Sequence, residues 1–92
     1  MRAQDVLPDG VDQVQFNGIS VRKGSVAAFL ANAKVLADAS ATAEARIEAE
    51  RDITEAMPAL CAAGLFEVLQ PRDETVRVFV EALKSSQSGS CP

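Results

Sequence analysis

The sequence contains no histidine, no tryptophan and no tyrosine among its 92 residues. Histidine is the commonest general base and the commonest metal ligand of proteins, so its absence disfavours proton-transfer catalysis and most transition-metal sites. Tryptophan and tyrosine are the usual platforms on which nucleic-acid bases and sugars stack, and only four phenylalanines remain for that role. We therefore predict a protein that is not an enzyme and that holds no metal and no cofactor.

Basic charge and long apolar runs are also scarce. Nine lysine and arginine residues are outnumbered by thirteen aspartate and glutamate residues, and the net charge is −4. Because contacts to phosphates supply most non-specific affinity for nucleic acid, this balance disfavours nucleic acid as a partner.

No apolar run approaches the ~18 residues of a membrane-spanning helix, and the opening residues MRAQDVLPDG lack the apolar segment of a secretory signal. We expect a cytoplasmic protein that does not enter a membrane.

The chain has two cysteines, Cys61 and Cys91, which are too few for a disulfide framework. Disulfides persist mainly in oxidising compartments, so for a cytoplasmic protein we expect both side chains to be free thiols. Cys61 lies in an apolar, alanine-rich run without a neighbouring base or cation that would activate a thiolate. We expect its side chain to be buried and inert.

The stretch from Phe16 to Ala39 is the part of the chain around which we expect the rest to fold. It opens with Asn17-Gly18 between two short alternating segments, and this dipeptide favours a hairpin because a type I′ turn needs positive φ at both central residues. Gly24 and Ser25 then provide a break and an N-cap for a helix over residues 26–38. The pattern predicts an N-terminal β-hairpin that is followed at once by an apolar helix.

That helix is apolar on two sides. A broad stripe, which we predict to face the core, consists of Val26, Phe29, Leu30, Ala33, Leu36 and Ala37. A smaller face lies nearly opposite and consists of Ala28, Ala31 and Val35. Because the chain is too short to supply a second covering layer, we predict that this smaller face is an interface with another protein, most simply in a homodimer.

A second helix is predicted over residues 43–57, with the hydroxyl of Ser40 or Thr42 as its cap. Its apolar side is narrow and its other side is strongly charged, so we expect an outer helix with a solvated face. It carries two i,i+4 charge pairs, Arg46–Glu50 and Arg51–Glu55.

The second half of the chain predicts shorter elements. Pro58 should stop or kink the acidic helix and can start a short one over residues 59–63, which Gly64 closes in a left-handed conformation. Phe66 to Leu69 is predicted as a strand. The segment 71–84 permits two interpretations, a helix capped by Asp73 or a strand with valines on alternate residues, and we favour the helix because only a helix explains Leu83.

These elements predict a single small α+β domain with an N-terminal β-hairpin, three to four helices and one further short strand. We expect residues 13–84 to form the compact domain, residues 1–12 to be a flexible arm, and residues 85–92 to be a disordered tail.

We interpret the chain as a non-catalytic protein-interaction or structural module that homo-oligomerises, with a homodimer or another protein as partner. The alternative is a small-ligand or anion-binding protein that uses the hairpin-to-helix junction. In that case Arg22, Lys23 and Ser25 would hold a small anion, because the N–H groups at a helix N-terminus favour negative charge.

Overall fold

The computed structural model describes residues 13–16, 18–22 and 24–86, and it describes the first two segments by their backbone. The predicted arm 1–12 and the end of the predicted tail, from residue 87, lie outside the described residues. The helices in chain order are α1 (Ser25–Ala37), α2 (Ala43–Ala63), α3 (Leu65–Val68) and α4 (Glu74–Ser86).

A short antiparallel ribbon precedes the helices. Strand β1 (Gln13–Phe16) pairs with strand β2 (Ile19–Arg22), so that the first residue of β1 lies opposite the last residue of β2. Gly18 has a φ of 80° in the turn between them, a conformation that costs glycine little because it has no Cβ. Each strand has four residues, and no third strand joins the pair within the described residues. A lone pair of this length is too small to act as a layer of a core.

Every buried side chain that the structure describes lies on a helix. These residues are Phe29, Leu36, Ala49, Ile53, Met57, Leu60, Cys61, Ala62, Val76 and Val80. The predicted α+β class, which took the hairpin and a further strand as part of the core, is therefore wrong, because the packed core is all-helical and the further strand is a helical turn. The prediction failed because a short apolar run does not distinguish a strand from a turn of helix.

Helix α2 is the centre of the core and not the outer helix that its charges predicted. Ile53, Met57 and Leu60 on this helix are each 0% exposed. α2 contacts α1, α3, α4 and both strands. Its narrow apolar stripe is sufficient for this central position because several neighbouring elements pack on it. Most of its charged side chains remain exposed to solvent.

Pro58 lies inside α2 and does not end it, so the predicted helix boundary at this proline is wrong. A proline in a helix interior costs about 3 kcal/mol because it lacks an N–H and clashes with the preceding turn. The turn that follows Pro58 buries Leu60, Cys61 and Ala62. Burial of one large apolar side chain contributes about 1.5–3 kcal/mol, which is sufficient to offset much of that cost.

Gly64 ends α2 as predicted, with a φ of 85° and its N–H donated to the carbonyl of Cys61 at 3.0 Å. The chain then continues directly into α3, so the strand predicted from Phe66 to Leu69 is wrong. The helical turn places the Phe66 ring edge-on against the Phe29 ring, with centroids 5.5 Å apart and an interplanar angle of 76°. This aromatic contact joins α3 to α1 and favours the helical conformation of the segment.

Helix α4 confirms the helical interpretation of residues 71–84. The carboxylate of Asp73 accepts a hydrogen bond from the N–H of Val76 at 3.0 Å, which is the cap that the sequence predicted. Val76 and Val80 are buried, and Leu83 packs beside them. The helix ends at Ser86, so the first two residues of the predicted tail belong to it.

A guanidinium closes the end of α1. Arg46 of α2 donates from Nη1 to the carbonyl of Leu36 at 3.3 Å and from Nη2 to the carbonyl of Asp38 at 2.6 Å. The last carbonyls of a helix have no partner inside the helix, and a positive charge near them is favourable. Arg46 is therefore directed at these carbonyls, and the predicted pair with Glu50 is wrong.

Of two further local predictions for α2, one is confirmed and the other is wrong. The hydroxyl of Thr42 accepts a hydrogen bond from the N–H of Ala45 at 3.1 Å, which confirms Thr42 as the cap. Arg51 lies 3.7 Å from the carboxylate of Glu48 and not beside Glu55, with which the sequence predicted a pair. The Arg51 side chain is 61% exposed, and a surface ion pair of this kind contributes only about 0–1 kcal/mol.

Candidate functional site

An apolar groove with a volume of about 850 Å³ lies between α1, α3 and the start of α4. One wall is a side of α1 that includes Val26, Leu30 and Ala37. The other wall is the segment from Leu65 to Val76, which contains α3 and the connection to α4. The groove is thus built by elements that meet only in the folded chain.

The walls of the groove keep large apolar side chains in contact with solvent. Val26 is 42% exposed, Leu30 is 53% exposed and Leu69 is 60% exposed. The stripe of α1 that we predicted to face the core therefore divides into two parts. Phe29 and Leu36 are buried in the core, whereas Val26 and Leu30 line the open groove, because none of the elements within residues 24–86 covers this side of α1.

The floor of the groove is part of the core and is well packed. It contains Phe29, whose exposure is 5%, and Val76, whose exposure is 2%. The edge-on contact between Phe29 and Phe66 holds the floor together across α1 and α3. We therefore expect the groove to keep its shape when it is empty, because its base is anchored in the core.

The rim of the groove carries charges of both signs. Lys34 and Arg72 are exposed and form no ion pair within the part of the chain that the structure describes. Asp73 also lies at the rim, but its carboxylate accepts the hydrogen bond that caps α4. The arrangement offers an apolar surface flanked by two cations that can pair with carboxylates, and it offers no nucleophile with an adjacent base.

The predicted interface on α1 is not a separate apolar face. Ala28 and Ala31 are exposed, but each presents only a methyl group. Val35 is half-buried and packs against the core. The structure therefore does not bring Ala28, Ala31 and Val35 together as one large apolar surface, and the interface stays a prediction at these positions.

The predicted anion site lies at the start of α1. The N-cap is Gly24, with a φ of 89°, and Ser25 is the first helical residue and not the cap. The first turn carries no acidic residue. The side chains of Arg22 and Lys23 lie outside the described residues, so the anion hypothesis for Arg22, Lys23 and Ser25 stays a prediction.

Cys61 is disulfide-bonded, and none of the described residues is a free cysteine. The prediction that Cys61 is a free thiol is therefore wrong, although its burial is confirmed at 4% exposure. The chain's other cysteine, Cys91, lies outside the described residues. A bonded sulfur has no thiolate, so Cys61 is not a nucleophile in this structure.

The described residues contain no cluster of three or more His, Cys, Asp or Glu side chains that is arranged to hold a metal ion. None of the helices in residues 25–86 combines the length and the hydropathy needed to cross a membrane.

Sequence reasoning missed the second wall of the groove. The sequence predicts Leu69 in a strand and assigns no role to Pro71 or Arg72. The available signal is that four of the five residues from Leu65 to Leu69 are apolar, with only Glu67 between them, which is more than one short helical turn buries. Comparison of the chain with protein-family models, with curated proteins and with solved structures gives no match.

Proposed function

We propose that the protein is a non-catalytic protein-interaction module that homo-oligomerises through the groove between α1, α3 and α4. The observation that carries the proposal is the exposure of Val26, Leu30 and Leu69 on facing walls of one groove, at 42%, 53% and 60%. Single exposed apolar residues are common on monomers, but a contiguous apolar surface rimmed by polar residues is typical of an interaction site.

The shape of the site favours a protein surface over a small molecule. Small ligands usually bind in concave sites that bury 70–90% or more of the ligand, whereas this groove leaves its own walls half-exposed. A hydrophobic groove is a common receptor for the apolar face of a second helix. Val26 and Leu30 are four residues apart on α1, and Ala33 follows three residues later.

Self-association is the simplest source of a partner surface. Most soluble oligomers consist of identical chains, and the closed dimer is the commonest form. The chain is short, so a monomer buries a smaller fraction of its unfolded surface than a larger domain does, and an interface adds to its stability. The groove supports this role better than Ala28, Ala31 and Val35, because its side chains are larger and more exposed.

The mass in solution tests the proposal. Light scattering after size exclusion should give a mass above the 9.7 kDa of one chain for the wild type. Leu30→Glu places a charge in the groove and should give a folded monomer, since Leu30 is 53% exposed and contributes little to the core. Val78→Glu is the matched control, because Val78 is 60% exposed on α4 and does not line the groove. A wild type that stays monomeric at high concentration would refute self-association.

The cytoplasmic location that the sequence predicted stays a proposal, and the disulfide of Cys61 counts against it. Disulfides persist in oxidising compartments and are rare in a reducing cytoplasm. The redox state of Cys61 at the moment of cell lysis, trapped with a maleimide under denaturing conditions, tests the location. A free thiol would support the cytoplasm, and a blocked sulfur would support an oxidising compartment.

A further inference from the structure

We propose that the surface of the second copy that fills the groove is the outer face of α2 around Ile47, an inference that rests on the self-association proposed above. Ile47 is 63% exposed, although Ile53 on the same helix is 0% exposed. An isoleucine that is mostly exposed on the central helix of the core is available to a partner without any change in the fold.

The surroundings of Ile47 are acidic. Glu44 and Glu50 lie three residues before and after it and are its neighbours on the helix surface. Further carboxylates on the exposed side of α2 belong to Glu48, Asp52 and Glu55. Arg51 lies four residues after Ile47, pairs with Glu48 and offsets part of this charge, whereas Arg46 is directed at the carbonyls that end α1.

Two cations at the rim of the groove complement this charge, and the carboxylate of Asp73, which caps α4, is the one anion among the lining residues. Lys34 on α1 and Arg72 before α4 are exposed and make no ion pair within the described residues. An isoleucine flanked by carboxylates therefore matches an apolar groove flanked by cations. Complementary charge of this kind sets the choice of partner and the orientation of docking.

The alternative occupants on the chain fit less well. Val78 on α4 is 60% exposed, but the charges of its helix are balanced, with Glu74 and Glu81 against Arg77 and Lys84. A groove that packed on the groove of a second copy would bring two sets of Lys34 and Arg72 together. Like charges across an interface are unfavourable, so the face around Ile47 is the better partner.

The proposed contact joins two different surfaces. Each copy carries one groove and one Ile47 face, so two copies related by a two-fold axis can make the contact twice and form a closed dimer. Each of the two surfaces can then be disabled separately by a substitution at an exposed position.

A complementation experiment tests the inference on the full chain. Leu30→Glu disables the groove and Ile47→Glu disables the face, and each variant alone should be monomeric at concentrations where the wild type is assembled. An equimolar mixture should form a dimer of one copy of each, detected by native mass spectrometry, because one intact groove meets one intact face. Val78→Glu should behave as the wild type, and circular dichroism should show an unchanged helical fold for all three variants.

The outcomes separate this inference from the proposed function. If Ile47→Glu alone assembles as the wild type does, whereas Leu30→Glu does not, the groove binds a different surface and the inference is wrong while self-association stands. A mixture that contains no mixed dimer would also overturn the inference. A monomeric wild type would reject the proposed function itself, and the inference with it.

Discussion

At the scale of single residues, the side chains that hold this fold together include several that close helix ends. Arg46 binds the carbonyls at the end of α1, Thr42 caps α2, and Asp73 caps α4. Each of these contacts satisfies backbone groups that have no partner within their own helix. Their effect on stability should therefore exceed that of the exposed ion pairs.

Arg46→Ala should lower the free energy of unfolding by about 1–3 kcal/mol, because it removes two hydrogen bonds from a charged donor and a favourable charge at a helix C-terminus. Urea denaturation of the monomer measures the change. Arg51→Ala is the control, since Arg51 is 61% exposed and its pairs are solvated, and it should cost about 0–1 kcal/mol. Equal losses for the two variants would contradict the capping role of Arg46.

Asp38 has a lowered pKa. The first cause is the hydrogen bond from the Ser40 hydroxyl to the Asp38 carboxylate at 2.7 Å, followed by the bond from the Ser40 N–H at 2.9 Å and by the charge of Arg46. A carboxyl whose pKa is lower in the folded state stabilises the fold above the pKa of the unfolded chain. That contribution is lost as the pH falls through the folded-state pKa.

An NMR titration of the Asp38 carboxyl carbon should therefore give a midpoint below the ordinary value of 3.8. Ser40→Ala removes the hydrogen bond from the Ser40 hydroxyl, which is the largest cause, and should raise the midpoint towards that value. A midpoint in the wild type at or above 3.8 would show that the turn at Asp38 is not formed in solution.

At the scale of elements, α2 is both the most charged helix and the centre of the core. Its charged residues occupy the outer side, and a narrow inner stripe packs against α1, α3 and α4. Pro58 within it reduces backbone hydrogen bonding at one point, yet the helix continues because the residues beyond it are buried. Packing decides the length of this helix, and local propensity does not.

Two isoleucines on α2 test this arrangement. Ile53→Ala should cost about 2–5 kcal/mol because it leaves a cavity at a site with 0% exposure. Ile47→Ala makes the same chemical change at a site with 63% exposure and should stay within about 0.5 kcal/mol in dilute, monomeric solution. Denaturant titrations of both variants measure the difference. Comparable losses would place the outer face of α2 in the core and contradict the fold.

At the scale of the whole molecule, the parts that the sequence predicts are those that depend on neighbours along the chain. The helix predicted over residues 26–38 is observed at Ser25–Ala37, and Gly64 and Asp73 act at helix ends as expected. The position of α2 was not predicted because burial depends on which elements pack together, and a charged helix gives no local sign of it. The groove was missed for the same reason, since Leu69 approaches α1 only in the folded chain.

The disulfide of Cys61 should contribute to the stability of the whole chain. Labelling of the unfolded, unreduced protein with a thiol reagent should find the sulfur of Cys61 blocked, and reduction should release its thiol. A disulfide typically stabilises by about 2–4 kcal/mol through its constraint on the unfolded chain. Thermal melts with and without reductant should therefore differ, and Cys61→Ser should melt as the reduced wild type does.

The edge-on pair of Phe29 and Phe66 has a spectroscopic consequence. These two rings lie at the floor and wall of the groove, and the chain has no tryptophan or tyrosine that would overlap their signals. Protons of any occupant that approaches the rings will experience their ring currents, and the ring protons will shift in return. The chemical shifts of the Phe29 and Phe66 ring protons therefore report on the candidate site, and docking can be followed by NMR without a label or a new substitution.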